Sequence, residues 1–238
     1  MKTTLHKANT RGHADRGWLN SYHTFSFANY HDPERMGFGV LRVLNDDEVS
    51  GGMGFSKHGH SNMEIISIPL EGDLEHKDSM GNATIIKQGD IQAMSAGTGV
   101  QHSEKNKNRD RPVKFLQIWV IPNKVNVEPK YDQITLDSIM LKNNFQQIVS
   151  PNSDDEGVWI HQKAWFHLGE FEAGHEIEYS LKDRSNGVYI FILEGKTKIN
   201  DQPLARRDGL GVQEAETLNF SVSENGTKIL LMEVPMAN

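Results

Sequence analysis

A chain of 238 residues, 37% hydrophobic and 24% charged, carries enough apolar material for one large β domain or two ordinary ones. Its formal net charge of -7 argues against a phosphate-binding surface of clustered lysine and arginine, so no nucleic-acid partner is expected. The absence of cysteine removes disulfides and thiolate sites, leaving nitrogen and oxygen as the donors for any metal. No segment approaches the roughly 18 apolar residues of a membrane span, and the start MKTTLHKANTRGHADRGW has no apolar core, which predicts a cytoplasmic protein without a membrane partner.

The first stretch of interest is aromatic: Trp18, Phe25, Phe27 and Tyr30. No lysine or arginine is interleaved through residues 17–34, so these rings are expected in packing rather than in base stacking, with His13 and His23 making local hydrogen bonds. Strand-like runs then follow one another: GFGVLRVL at 37–44, MEIISIPL at 63–70, NATIIKQ at 82–88 and VKFLQIWVI at 113–121. Between them stand SGG, EGD, SMGN, KQGD and SAGTG, turn chemistry with glycine or asparagine where a positive φ is needed. Helical periodicity is weak throughout, and the best candidate for a helix is the short segment Asp137 to Lys142.

The second half echoes the first. IPLEGDLE at 68–75 and FILEGKTK at 191–198 each read as strand, Glu-Gly turn and return strand, and each is followed by a charged turn and another strand. Two tandem β-barrels explain the echo, with the joint in IPNKVNVEPKYDQ at 121–133. The expected division is an N-terminal barrel at 1–130 and a C-terminal barrel at 131–238.

Chemistry points to the histidines. In KHGHSNMEIIS, His58 and His60 are two apart, so on a strand their imidazoles leave from one face, about 6.5 to 7 Å apart at Cα. Alone, such a pair also describes two surface histidines. In GVQHSEKN, however, His102 and Glu104 repeat the spacing. Two strands with a same-face pair each would form a three-nitrogen, one-oxygen set suited to iron, manganese, nickel, copper or zinc. Met53, Phe55 and Met94 are candidates for an apolar wall beside it, and His76 for its lining.

Gly52, His58, His60, Glu64 and Gly72 are similar to the first cupin motif, with one extra residue before the last glycine. Gly89 to Gly99, His102 and Asn106 are similar to the second, with its usual proline replaced. Together with RGHADRGWLNSYHTFSFANYHDP, KHGHSNMEIISIPLEG and GDIQAMSAGTGVQHSE, they make the chain resemble the pirin family. The resemblance implies an all-β double-stranded β-helix fold as two tandem cupin barrels, a bicupin, with the metal in the first. It matches the ligands to His58, His60, His102 and Glu104, whereas most other cupins would use Glu64.

Glu104 shares a strand face with His102 and is therefore favoured, leaving Glu64 as an acceptor for a ligand N–H. The second barrel offers His175 in an echo of the first motif but no later histidine, so no complete site is expected there and His161, His167 and His175 are read as structural.

By the same resemblance the expected activity is that of a quercetin 2,3-dioxygenase, which opens a flavonol heterocycle with O2 and releases carbon monoxide. Glu104, or else Glu64 or bound hydroxide, would take the substrate proton. One divalent transition metal is expected, iron first, with zinc, nickel, manganese, copper or cobalt compatible. The rival expectation is a metal-dependent regulatory protein whose partner is a transcription factor or metabolic enzyme.

Overall fold

The computed structural model describes residues 1–237. The first half of the chain supplies β1 (Lys2–His6), β2 (Gly12–Asp15), β3 (Leu19–His23), β4 (Leu41–Val49), β5 (Gly54–His60), β6 (Glu64–Glu71), β7 (Asp73–Asp78), β8 (Ala83–Lys87), β9 (Asp90–Ser95), β10 (Val100–Asn106) and β11 (Val113–Val120). The second half supplies β12 (Lys130–Thr135), β13 (Gln146–Ser150), β14 (Val158–Trp159), β15 (Trp165–Phe171), β16 (Glu176–Ser180), β17 (Asn186–Glu194), β18 (Lys196–Ile199), β19 (Gln202–Ala205), β20 (Gly209–Gln213), β21 (Thr217–Val222) and β22 (Thr227–Pro235).

These strands form two pairs of sheets. One seven-stranded sheet runs β12-β9-β6-β11-β4-β3-β2 and closes against the four-stranded β5-β10-β7-β8. The other runs β1-β20-β17-β22-β15-β13-β14 and closes against β16-β21-β18-β19. The orders match strand for strand, β6 with β17, β11 with β22 and β10 with β21, which is the tandem bicupin expected. The two Glu-Gly turns correspond in detail, since Gly72 at φ 78° and Gly195 at φ 79° occupy the left-handed region that glycine enters without a Cβ penalty.

Strand membership crosses between the halves at two places. β1, at the N-terminus, pairs antiparallel with β20 at the edge of the C-terminal sheet. β12, which follows the predicted joint, pairs with β9 at the edge of the N-terminal sheet. Each repeat thus lends its first strand to the other barrel, covering an edge that would otherwise expose unpaired backbone groups.

Two elements differ from the sequence pattern. Residues 137–142 form turns rather than a helix: the Asp137 carboxylate accepts the Ile139 N–H at 2.9 Å, and Met140 N–H donates to Asp137 O at 3.0 Å. Aspartate competes with the helix in this way by offering its own acceptor to a nearby N–H. In GFGVLRVL the strand begins only at Leu41, because Gly37 and Gly39 turn the chain with φ 153° and 53°, and it runs on through the polar NDDEV to Val49.

The two seven-stranded sheets pack against each other. Ile66, Ile68, Leu116 and Ile118 from one side meet Phe166, Tyr189, Phe191, Leu230 and Met232 from the other in one buried cluster. Alternation sends the intervening residues the opposite way, into the barrels. The C-terminal barrel is filled there with Ile190, Ile192, Leu210, Leu218, Phe220 and Leu231. The N-terminal barrel instead turns Ser67, Glu104 and Gln117 toward one another, and that polar interior holds the site.

Candidate metal centre

β5 and β10 lie side by side and antiparallel, with His102 opposite His58 and Val100 opposite His60. The register shifts between His102 and Glu104, a bulge of the kind that re-aims side chains next to functional sites. Three imidazoles converge because His58 lies directly opposite His102 and His60 leaves the same face of β5 two residues on. Ring centroids are 5.0 Å apart for His58 and His60, 4.4 Å for His58 and His102, and 5.0 Å for His60 and His102.

One ligand nitrogen from each lies within 4.8 Å of the others. His58 Nδ1–H donates to Ser56 O at 2.8 Å, which leaves its Nε2 lone pair for a cation. The Nε2 atoms of His60 and His102 approach to 3.1 Å.

Electrostatics favour a cation over protons here. Burial, then the charge of His58, lowers His60 to about 4. Burial and the neighbouring imidazoles lower His102 to about 3. These rings stay neutral well below pH 7 with their lone pairs available. A donor set of imidazoles with a carboxyl behind them fits a divalent transition metal.

Glu104 is buried and meets the histidines through His102. His76, His102 and Glu104 form a second group whose ligand atoms lie within 4.8 Å of one another. The Glu104 carboxyl accepts from Ser67 Oγ at 3.2 Å and from Gln117 Nε2 at 2.8 Å, and burial raises it to about 7. His76, also buried, hydrogen-bonds through Nε2 to Asp78 Oδ2 at 3.1 Å and sits behind His102.

Glu64 lies elsewhere, which corrects its expected role as acceptor for a ligand N–H. It shares a strand face with Ile66 and Ile68, pointing toward the other barrel, where it accepts from Ser95 Oγ at 2.6 Å and stands 3.5 Å from His161 Nδ1. The stretch HGHSNMEII breaks at Asn62, whose φ of 48° carries the chain from one sheet to the other, so spacing from the histidines does not give Glu64 their face.

A cavity of about 250 Å³ opens beside the histidines, lined by His58, His60, Glu104, Gln117, Trp119, Phe27, Phe55, Leu19, Ser21, His23, Asn45 and Asp47, among others. Phe55 is the wall expected; Met53 is 45% exposed at the surface, and Met94 packs with Ile65 and Val100 in a neighbouring cluster. His13 Nε2–H donates to Asn20 Oδ1 at 2.7 Å as expected, but His23 faces the cavity with Nδ1 unpartnered. Phe27 stacks edge-on against Trp119 and Trp18 against Phe55, so the aromatic stretch packs around this cavity.

Asn45, Asp47, Ser67, Gln117 and Trp119 were not singled out from sequence. For Ser67 and Gln117 the signal was a polar residue inside an apolar strand, EIISIPL and VKFLQIWV; Asn45 and Asp47 stand in the polar run NDDEV and carry no such mark.

The buried groups also set the response to acid. Burial lowers His6, His23, His60 and His167 to about 4 and His102 to about 3, while it raises Asp47, Glu64 and Glu104 to about 7. Below 6.5 the unfolded chain binds imidazole protons that the fold excludes, whereas the fold alone retains the carboxyl protons until the unfolded references of 3.8 and 4.5 are reached. The imidazoles outnumber the carboxyls, so the unfolded state binds more protons and stability falls on acidification. From pH 7 to about 6.5 the two effects nearly cancel, so the urea midpoint of metal-free protein is expected to fall mainly between about pH 6.5 and pH 5; a rise over that lower interval would contradict the burial pattern.

A family model described as Pirin matches residues 4–120, and one described as quercetinase C-terminal cupin domain matches residues 147–234. Quercetin 2,3-dioxygenase of Escherichia coli K12 is 39% identical over 235 residues, spanning 97% of this chain and 98% of that protein. A pirin-like protein of Caulobacter vibrioides is 35% identical over 222 residues, 92% of this chain and 94% of that one. Among solved structures, bacterial pirin YhhW of Escherichia coli in complex with nickel(II) superposes with a TM-score of 0.92 at 36% identity, covering 98% of this chain and 99% of that one.

Proposed function

The chain belongs to the pirin family, and on that premise we propose that it is a cytoplasmic, metal-dependent quercetin 2,3-dioxygenase that opens the flavonol heterocycle with O2 and releases carbon monoxide. The observation that carries the reading is the convergence of His58, His60 and His102 at a cavity whose walls include Phe27, Phe55 and Trp119. His58, His60, His102 and Glu104 would hold the ion, with iron put first. When bound, such a cation supplies Lewis acidity that lowers the pKa of a hydroxyl beside it.

The chain's own residues do the rest. Ser67 and Gln117 orient the Glu104 carboxyl. The aromatic walls bury a planar ligand and exclude water from it. The ion would sit in an N-terminal barrel of residues 1–130, ahead of a C-terminal barrel of residues 131–238 without a complete site.

Protein loaded with ferrous iron and exposed to quercetin in air is expected to bleach the flavonol absorption band and release carbon monoxide, with O2 uptake. No bleaching and no O2 uptake with iron, nickel or manganese, together with a protein partner captured only by metal-loaded protein, would give the regulatory reading instead.

A further inference from the structure

The cavity holds a second carboxyl. Along β4 the alternation sends Asp46 outward, onto Arg11 and Arg207, and Asn45 and Asp47 inward. Asp47 is 4% exposed and lines the same cavity as His58, His60 and Glu104. Its Oδ1 accepts the Ser21 hydroxyl, and Oδ2 has no hydrogen-bond partner among the described residues. That oxygen therefore stands on the cavity wall with its acceptor capacity free for whatever occupies the cavity.

Its neighbours share the deficit. Asn45 Oδ1, His23 Nδ1 and Trp119 Nε1 are buried without partners, and all three residues line this cavity. Glu104 differs: Ser67 occupies Oε1 and Gln117 occupies Oε2. Each Glu104 oxygen thus already accepts one hydrogen bond, whereas Asp47 Oδ2 accepts none among the described residues.

Resting on the flavonol reading, we propose that Asp47 is a catalytic residue of this site, the base that takes the substrate's acidic hydroxyl proton while Glu104 stays beside the histidines. The step breaks the flavonol O–H bond and forms an Asp47 Oδ2–H bond. The electron pair remains on the flavonol oxygen, no oxidant is consumed, and the proton returns to the carboxylate of the ring-opened product. Burial pushes the Asp47 carboxyl up to about 7, against the opposing Ser21 hydrogen bond, which suits proton exchange near neutral pH.

The test compares wild type with Asp47→Asn, an isosteric change that keeps an oxygen for Ser21, both loaded with ferrous iron. Anaerobic binding of quercetin reads ionisation directly, because the flavonolate absorbs at longer wavelength than the neutral flavonol. Asp47→Asn is expected to retain its iron, to bind quercetin in the neutral form, and to turn over about 100-fold more slowly or worse in air, within the range for loss of a general base.

An ionised bound flavonol and turnover within about threefold of wild type would overturn the proposal, as would loss of iron, which would make Asp47 a ligand. If Asp47→Asn does not fold, Ser21→Ala removes only the single hydrogen bond; an unchanged bound spectrum and unchanged turnover would then count against the base. Wild type that neither ionises nor consumes quercetin would instead sink the dioxygenase reading itself.

Discussion

His102→Ala is expected to empty the metal site. His102 belongs to both groups of converging donors, sits 2% exposed in mid-strand, and has its ring centroid within 5.3 Å of those of His58, His60 and His76. Removing it leaves His58 and His60, adjacent on one strand, and separates them from Glu104. Metal affinity should fall by more than about 100-fold, beyond the 10–100-fold typical when only a supporting hydrogen bond is lost.

Elemental analysis of protein purified without an affinity tag should find a stoichiometric ion in wild type and almost none in the variant, with flavonol turnover lost in parallel. Far-UV circular dichroism should be unchanged, because the remaining β10 partners on β5 and β7 keep the strand in place. A variant that keeps its ion would remove the basis for the centre.

The second large effect is on stability. Asp46→Ala should lower the melting temperature by about 6–12 °C. Arg11 Nη1 lies 3.1 Å and Arg207 Nε 2.8 Å from the same Asp46 Oδ2, and the two arginine side chains are 6% and 8% exposed. Arg207 comes from the turn before β20 and Asp46 from β4, so this carboxylate ties the C-terminal half of the chain to the N-terminal barrel. Without it, two nearly buried guanidiniums keep only neutral backbone acceptors, Ala8 O for Arg11 and Leu193 O for Arg207, besides the Glu194 carboxylate 3.8 Å from Arg207.

Removing one member of a buried ionic network costs about 3–5 kcal/mol; the 15% exposure of Asp46 and the presence of Glu194 favour the lower figure. At about 2–4 °C per kcal/mol for a chain of this size, that gives the stated shift. Asp46→Asn, which keeps an acceptor but not the charge, should fall between. A midpoint within about 1 °C of wild type would mean that both arginines reach water without cost.

Much of the architecture was legible because it rests on local rules. Turn glycines and asparagines marked the strand ends, and the LEG echo pointed to equivalent turns in the two halves. Pairs two residues apart, His58 with His60 and His102 with Glu104, had to share a face. The failures came where an aspartate or a glycine overrode a pattern. Asp137 drew a short segment into turns, and Gly37 and Gly39 delayed the start of β4.

The sequence by itself determined which residues alternate together, which donors any metal must use, and that two copies of one β unit follow one another. Tertiary structure alone decided that Glu64 faces the other barrel, that Asp47 shares a cavity with His58 and His60, 11 and 13 positions further along the chain, and that β1 and β12 change places. The reason is that alternation specifies the two sides of each strand but not what lies on either side. Inward and outward acquire meaning only when distant strands pair and two sheets close over one another.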